Sequence, residues 1–136
     1  GMLAAEEAGM GGASAISPEA FSYLQALEQS GRVVAPRGTL SARIVAEISG
    51  AARTSEGLAR EVGVFRTTGG ERILTLGKSR SVDVPFDAVR VIGHTHPSGN
   101  LLFSSADISV LRAFGQKSSI LIDPNTGRAV RLVVPR

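Results

Sequence analysis

The sequence predicts a mixed α/β domain, and three observations lead there. Apolar residues recur at helical spacing soon after residue 17 and again after residue 104. Short runs of Val, Ile and Leu, bounded by Gly, Pro, Asn and Asp, read as strands joined by turns. The two patterns mix along 136 residues, a length that suits a single α/β domain.

Residues 1–16 (GMLAAEEAGMGGASAI) are rich in Gly and Ala and read as a linker or a frayed lead-in, leaving 17–136 as the domain. Ser17 suits an N-cap, Pro18 the first helical position, and Glu19 the positive end of a helix. Phe21, Leu24 and Leu27 then predict an amphipathic helix over 18–29, ended by Ser30-Gly31. Arg32 to Ala35 reads as a short strand. Residues 39–52 fit two readings: alternation at Ile44, Ala46 and Ile48 suits a strand, while the Ala and Glu content suits a helix. Val62 to Thr68 and Arg72 to Leu76 flank Gly69-Gly70 as a hairpin. Ser81 to Val84 reads as a further extended piece, turned by Pro85-Phe86-Asp87. Val89, Val91 and Ile92 lead a β-rich run into Gly93-His94-Thr95-His96-Pro97. Ser104 opens a helix with Ile108, Leu111 and Phe114 on one face. Ser119 to Ile122 and Ala129 to Val134 are strands joined by a turn at 123–127.

Composition narrows the function. A domain of this size buries about two thirds of its unfolded surface without staples. With aromatics at 4% and no Trp, the core must be Val, Ile, Leu and Ala. The chain has no cysteine, which excludes disulfides, thiol catalysis and cysteine-held metal. Any metal must be held by His and carboxylate, a ligand set that suits zinc, iron or manganese. No apolar stretch reaches the ~18 residues of a membrane span, and no secretory signal pattern is present. The default expectation is a soluble, cytoplasmic chain, or a module of a larger secreted protein. Net charge is +3, and the basic residues are scattered without interleaved aromatics, so nucleic acid is not the expected partner. No Lys-Ser/Thr helix follows Gly69-Gly70, which excludes a phosphate loop, and Ser55, Ser79 and Ser81 lack a nucleophile elbow.

The chemistry concentrates in GHTHPSGNLLFSSADISVL. His94 and His96, the only two histidines, are one residue apart, so an extended backbone projects both rings to one face. Pro97 ends strand pairing at once and leaves the rings at a rim. Asp107 falls in the first turn of the next helix, which a short Pro-Ser-Gly-Asn loop lets fold back over the strand end. Two imidazoles and one carboxylate with a fourth place open is the arrangement of a catalytic zinc site. Ser104 and Asp107 also form an S-x-x-D capping box. The two roles coexist, because the cap aims the carboxylate.

His94-Thr95-His96-Pro97 followed by Ser104-Ser105-Ala106-Asp107 resembles the signature of the JAMM (JAB/MPN-plus) metallopeptidases. HTHPSG is similar to bacterial RadC-type and toxin-associated JAB domains. The resemblance is concentrated in residues 93–111 and extends over about 58–134, while residues 1–50 carry none. It implies a cytidine-deaminase-like JAB/MPN fold, a mixed central sheet flanked by helices. It further implies a zinc-dependent hydrolase that cleaves a peptide or isopeptide bond in a protein or peptide substrate, ubiquitin-like or self-processing proteins included. On that resemblance His94, His96 and Asp107 hold one zinc ion per chain, and Ser104 donates to the oxyanion. An upstream glutamate would serve as general base. Glu47, Glu56, Glu61 and Glu71 are the candidates; Glu61 is preferred because it heads the strand EVGVF and Gly63 matches the family's small residues. Leu101-Leu102-Phe103 stands where eukaryotic members carry a tryptophan and insertions that grip ubiquitin, which implies a minimal, bacterial-type domain. That apolar triplet reads as a core plug.

Two alternatives stand beside the peptidase. One is an inactive JAB-type scaffold that binds partners, against which the full retention of His94, His96, Ser104 and Asp107 weighs. The other is a RadC-like nucleic-acid-associated role, prompted by an isoelectric point of about 10.2.

Overall fold

Ser17 and Ser41 start the first two helices by the same means. Each hydroxyl accepts from a backbone amide three residues on, at Ala20 and Ile44, and so satisfies a donor that the first turn leaves unpaired. The helices are α1 (Pro18–Ser30) and α2 (Ala42–Ala51) in a computed structural model that describes residues 16–136. Gly31 ends α1 in the left-handed region at φ 76°, donating to Leu27 O. Segment 39–52, which fitted strand and helix patterns equally, is helical over α2. Val45, Ala46, Ile48 and Ser49 form its buried face, a spacing only a helix turns to one side.

The strands are β1 (Arg32–Ala35), β2 (Val62–Thr67), β3 (Arg72–Leu76), β4 (Ala88–Thr95), β5 (Ser118–Ile122) and β6 (Ala129–Val133), with α3 (Ser105–Ala113) between β4 and β5. They form one mixed sheet in the order β1-β3-β2-β4-β5-β6. All neighbours are antiparallel except β4 and β5, whose parallel pairing requires the crossover that α3 supplies.

Helices cover both sheet faces. On one face α1 and α2 pack Leu24, Leu27, Val45 and Ile48 against Val62, Val64, Leu74 and Ile122. On the other, Leu111 of α3 joins Phe65, Ile73, Val91 and Val134, with Phe103, Ile108 and Phe114 packed around them. Each fully buried Leu or Ile contributes roughly 1.5–3 kcal/mol relative to exposure. No helix among the described residues is long and apolar enough to cross a membrane.

Four expectations need correction. Phe21 is 48% exposed, and Ala20, Leu24 and Leu27 form the buried stripe of α1, because positions i, i+4 and i+7 align more closely than i+1 does. Ser81 to Val84 forms no strand. β3 is already paired on both sides, by β1 and β2, so this segment has no place beside it. It lies over the sheet near Gly63, where a Cβ would stand 3.2 Å from Val82 Cγ2 and 2.5 Å from Phe65 Cε2. In the triplet 101–103, Phe103 packs into the core but Leu102 is 67% exposed. Ile16, placed in the lead-in, packs against the core, while the rest of the expected linker, residues 1–15, lies outside the described residues.

The crossover positions the site. β4 delivers residues 94–96 at its carboxyl end, next to the carboxyl end of its parallel neighbour β5, and α3 begins beside them. Parallel strands of open α/β sheets place ligands outside such carboxyl ends.

Candidate metal centre

β4 ends at Thr95, yet His96 N still donates to Ile122 O at 3.0 Å, so both histidines ride on an anchored backbone. The rings stand edge to face, with centroids 4.8 Å apart. Their Nε2 atoms are 3.0 Å apart. Asp107 completes a triangle: Oδ1 lies 3.1 Å from His94 Nε2 and Oδ2 3.1 Å from His96 Nε2. Two donors about 2.0–2.1 Å from a tetrahedral zinc stand roughly 3.3 Å apart. The two Nε2 atoms meet that spacing within a few tenths of an ångström, each ring is nearest a different Asp107 oxygen, and one ligand atom from each residue lies within 4.8 Å of the others, so the group could hold a metal ion.

The hydrogen bonding around the triangle supports the same fit. His96 Nδ1 lies 2.7 Å from the carbonyl oxygen of Asn100. A carbonyl only accepts, so Nδ1 carries the hydrogen and the neutral ring presents a bare Nε2 lone pair to Asp107 and His94. A lone pair facing a carboxylate is repulsive unless a cation, proton or metal, lies between them. Without a metal, that cation is a proton on the rings, which then donate to Asp107. Burial raises the Asp107 carboxyl, but hydrogen bonds from both rings and from Ser104 outweigh it and hold the group far below the usual carboxylate range. The bond to Asp107 raises the His96 imidazole above its ordinary value despite burial.

α3 starts with the expected capping box. Ser104 Oγ accepts from Asp107 N at 3.0 Å, and Ser104 N donates to Asp107 Oδ2 at 2.9 Å. Ser104 is exposed, and no acceptor among the described residues takes its hydroxyl proton.

Of the four glutamates, Glu61 lines the cleft that also contains His96, Ser104 and Asp107, a space of about 760 Å³ with Arg53 and Arg80 on its walls. Glu61 is only 7% exposed. Burial pushes its carboxyl above the ordinary value, opposed by the two histidines and reinforced by Asp107. Glu47 lies elsewhere: it accepts from Ser17 N at 2.8 Å and pairs with Arg43, tying α1 to α2. Glu56 sits exposed in a turn beside Ser55, and Glu71 is exposed at the β2–β3 turn.

Four contributors escaped sequence reasoning. The Asn100 carbonyl is backbone and leaves no side-chain signal. Gln116 is buried and brackets Val91, accepting from its N at 2.7 Å and donating to its O at 2.6 Å, where β4 has no backbone partner in β5. Ser49 and Thr95 are buried hydroxyls behind the histidine pair. Thr95 could have been found, because alternation between two rim histidines turns it inward.

No protein-family model, curated protein or solved structure matches this chain.

Proposed function

We propose that this chain is a zinc-dependent peptidase of the JAMM type, with a cytidine-deaminase-like JAB/MPN fold, that cleaves a peptide or isopeptide bond. The observation that carries the reading is the convergence of both histidine Nε2 atoms, 3.0 Å apart, on the two Asp107 oxygens at 3.1 Å, beside a cleft lined by His96, Asp107 and the buried Glu61. His94, His96 and Asp107 would hold the zinc ion. A zinc ion in such a site lowers the pKa of a coordinated water toward about 7 and polarises a carbonyl.

The chain's own residues supply the rest. Glu61 takes a proton from the attacking water and gives it to the leaving amine. Its buried, raised carboxyl suits both halves of that exchange, because a base that returns its proton works best near the operating pH. Ser104 holds a free O–H at the cleft edge, in place to donate to the oxyanion of the tetrahedral species. Asn100 fixes the His96 tautomer through Nδ1.

Metal content per chain tests the reading. Elemental analysis of protein purified without chelator should give about one zinc per chain, lost in His96→Ala. Loaded protein should then hydrolyse a member of a peptide and isopeptide panel, with Glu61→Gln inactive. A chain that takes up no zinc would sink the proposal and leave a partner-binding scaffold.

A further inference from the structure

Thr95 stands between the two histidines, and strand alternation turns its side chain to the opposite sheet face. There it is fully buried, as is Ser49 of α2. Buried hydroxyls are costly unless partnered. Val62 N–H donates to Thr95 Oγ1 at 2.9 Å, the Thr95 hydroxyl donates to Ser49 Oγ at 3.0 Å, and the Ser49 hydroxyl donates to Arg60 O at 2.6 Å. The direction is forced, because an amide only donates and a carbonyl only accepts. The relay begins at residue 62 and ends at residue 60, on either side of Glu61.

Glu61's own backbone is held from the other flank. Its N–H donates to Lys78 O at 2.7 Å and its carbonyl accepts from Gly77 N at 2.8 Å. On the β4 side the regular ladder with β2 stops at Gly63–His94. Beyond that point β4 is paired with β5, through Thr95–Ile122 and the bond from His96 N. The Thr95 side chain supplies the partner that the β4 backbone no longer offers.

We infer that Thr95 and Ser49 are positioning residues that hold Glu61 in register with His94 and His96, a role that rests on the peptidase reading above. Thr95 lies within the same three residues as both rings. Any movement of the β4 end therefore carries ligands and base together, and loss of the hydroxyl uncouples them.

Three variants test this in zinc-loaded protein. Thr95→Val keeps the shape and removes the hydroxyl, Thr95→Ser keeps the hydroxyl, and Ser49→Ala cuts the relay without touching β4. Thr95→Val should raise amide hydrogen exchange at Val62 about tenfold or more, with zinc content unchanged. Turnover of a substrate from the panel should fall on the order of tenfold to a hundredfold in Thr95→Val and Ser49→Ala, through kcat rather than KM. Thr95→Ser should recover most of it. Native protection at Val62 in Thr95→Val overturns the inference. So does native kcat in Ser49→Ala while Glu61→Gln is inactive, a result that leaves the peptidase reading standing. Should Thr95→Val fail to fold, Ser49→Ala set against Thr95→Ser makes the same comparison. A zinc-loaded chain without any turnover overturns the peptidase reading itself, and with it the purpose assigned to the relay.

Discussion

Asp107 and Ser104 cap each other: Ser104 N donates to Asp107 Oδ2 at 2.9 Å while Ser104 Oγ accepts from Asp107 N at 3.0 Å. The same carboxylate reaches 3.1 Å from each histidine Nε2. One side chain thus begins α3 and completes the donor triangle, so α3 cannot unwind at its start without opening the site.

Substitution at Asp107 should separate those two tasks. Asp107→Asn keeps an oxygen for Ser104 N but loses the charge. Its zinc affinity should fall by more than the roughly 10–100-fold typical of losing an outer partner, with little change in melting temperature. Asp107→Ala should lose zinc and a further 0.5–2 kcal/mol, about the value of a helix cap. Chelator competition and thermal unfolding of both variants check this; tight zinc binding by Asp107→Asn would remove Asp107 from the ligand set.

Gly99 should matter for affinity without touching metal. It lies at φ +85°, and a Cβ there would meet Asp123 Oδ1 at 3.3 Å. Gly99→Ala should cost about 1–2 kcal/mol, the penalty of a side chain in the left-handed region. The strain shifts Asn100, whose carbonyl orients His96, so zinc affinity should drop roughly tenfold. Unchanged affinity would mean that the Asn100 contact does not orient the ring.

Gln116 is a structural test of β4. Gln116→Leu leaves the buried Val91 amide without its partner, while Ser119 Oγ still donates to Val91 O. One stranded buried donor costs about 1–3 kcal/mol. Denaturant unfolding should show that loss, and a smaller change would indicate that water reaches Val91.

Glu47 should make stability depend on acid. Burial raises its carboxyl, but the hydrogen bonds from Ser17 and Arg43 and the Arg43 charge outweigh this and hold it below its ordinary value. A carboxyl depressed in the folded state contributes stability that is present above the ordinary value, near about 4.3, and is lost as pH falls through the folded value. Thermal unfolding of native protein and Glu47→Gln should therefore differ at neutral pH and converge once the pH falls below the depressed folded value. A gap that persists in acid would show that charge is not what Glu47 contributes.

Much of the site is readable one residue at a time because its parts are local. His94 and His96 share a strand face by alternation, and Asp107 is bound to them through a short loop and a cap whose pattern spans four residues. Glu61 is harder, since four candidate glutamates stand upstream of the histidines and their distance from the rings depends on how β2 meets β4. Segment 39–52 carried two periodicities, and contact with the sheet through Val45, Ala46, Ile48 and Ser49 selected the helix. Ser81 to Val84 carried a strand pattern, but β1 already occupied the edge of β3.

Residue type and spacing alone carry the α/β class, the histidine pair, the Asp107 cap and the absence of thiol chemistry. Their signals lie within a helix turn or a strand repeat, where backbone geometry leaves few choices. Long-range packing added which glutamate faces the rings and the hydroxyl relay through Thr95 and Ser49. Those depend on partners 33 and 46 residues apart, Val62 with Thr95 and Ser49 with Thr95, which no local pattern encodes. They exist because a buried polar group must find a partner wherever the fold brings one within reach.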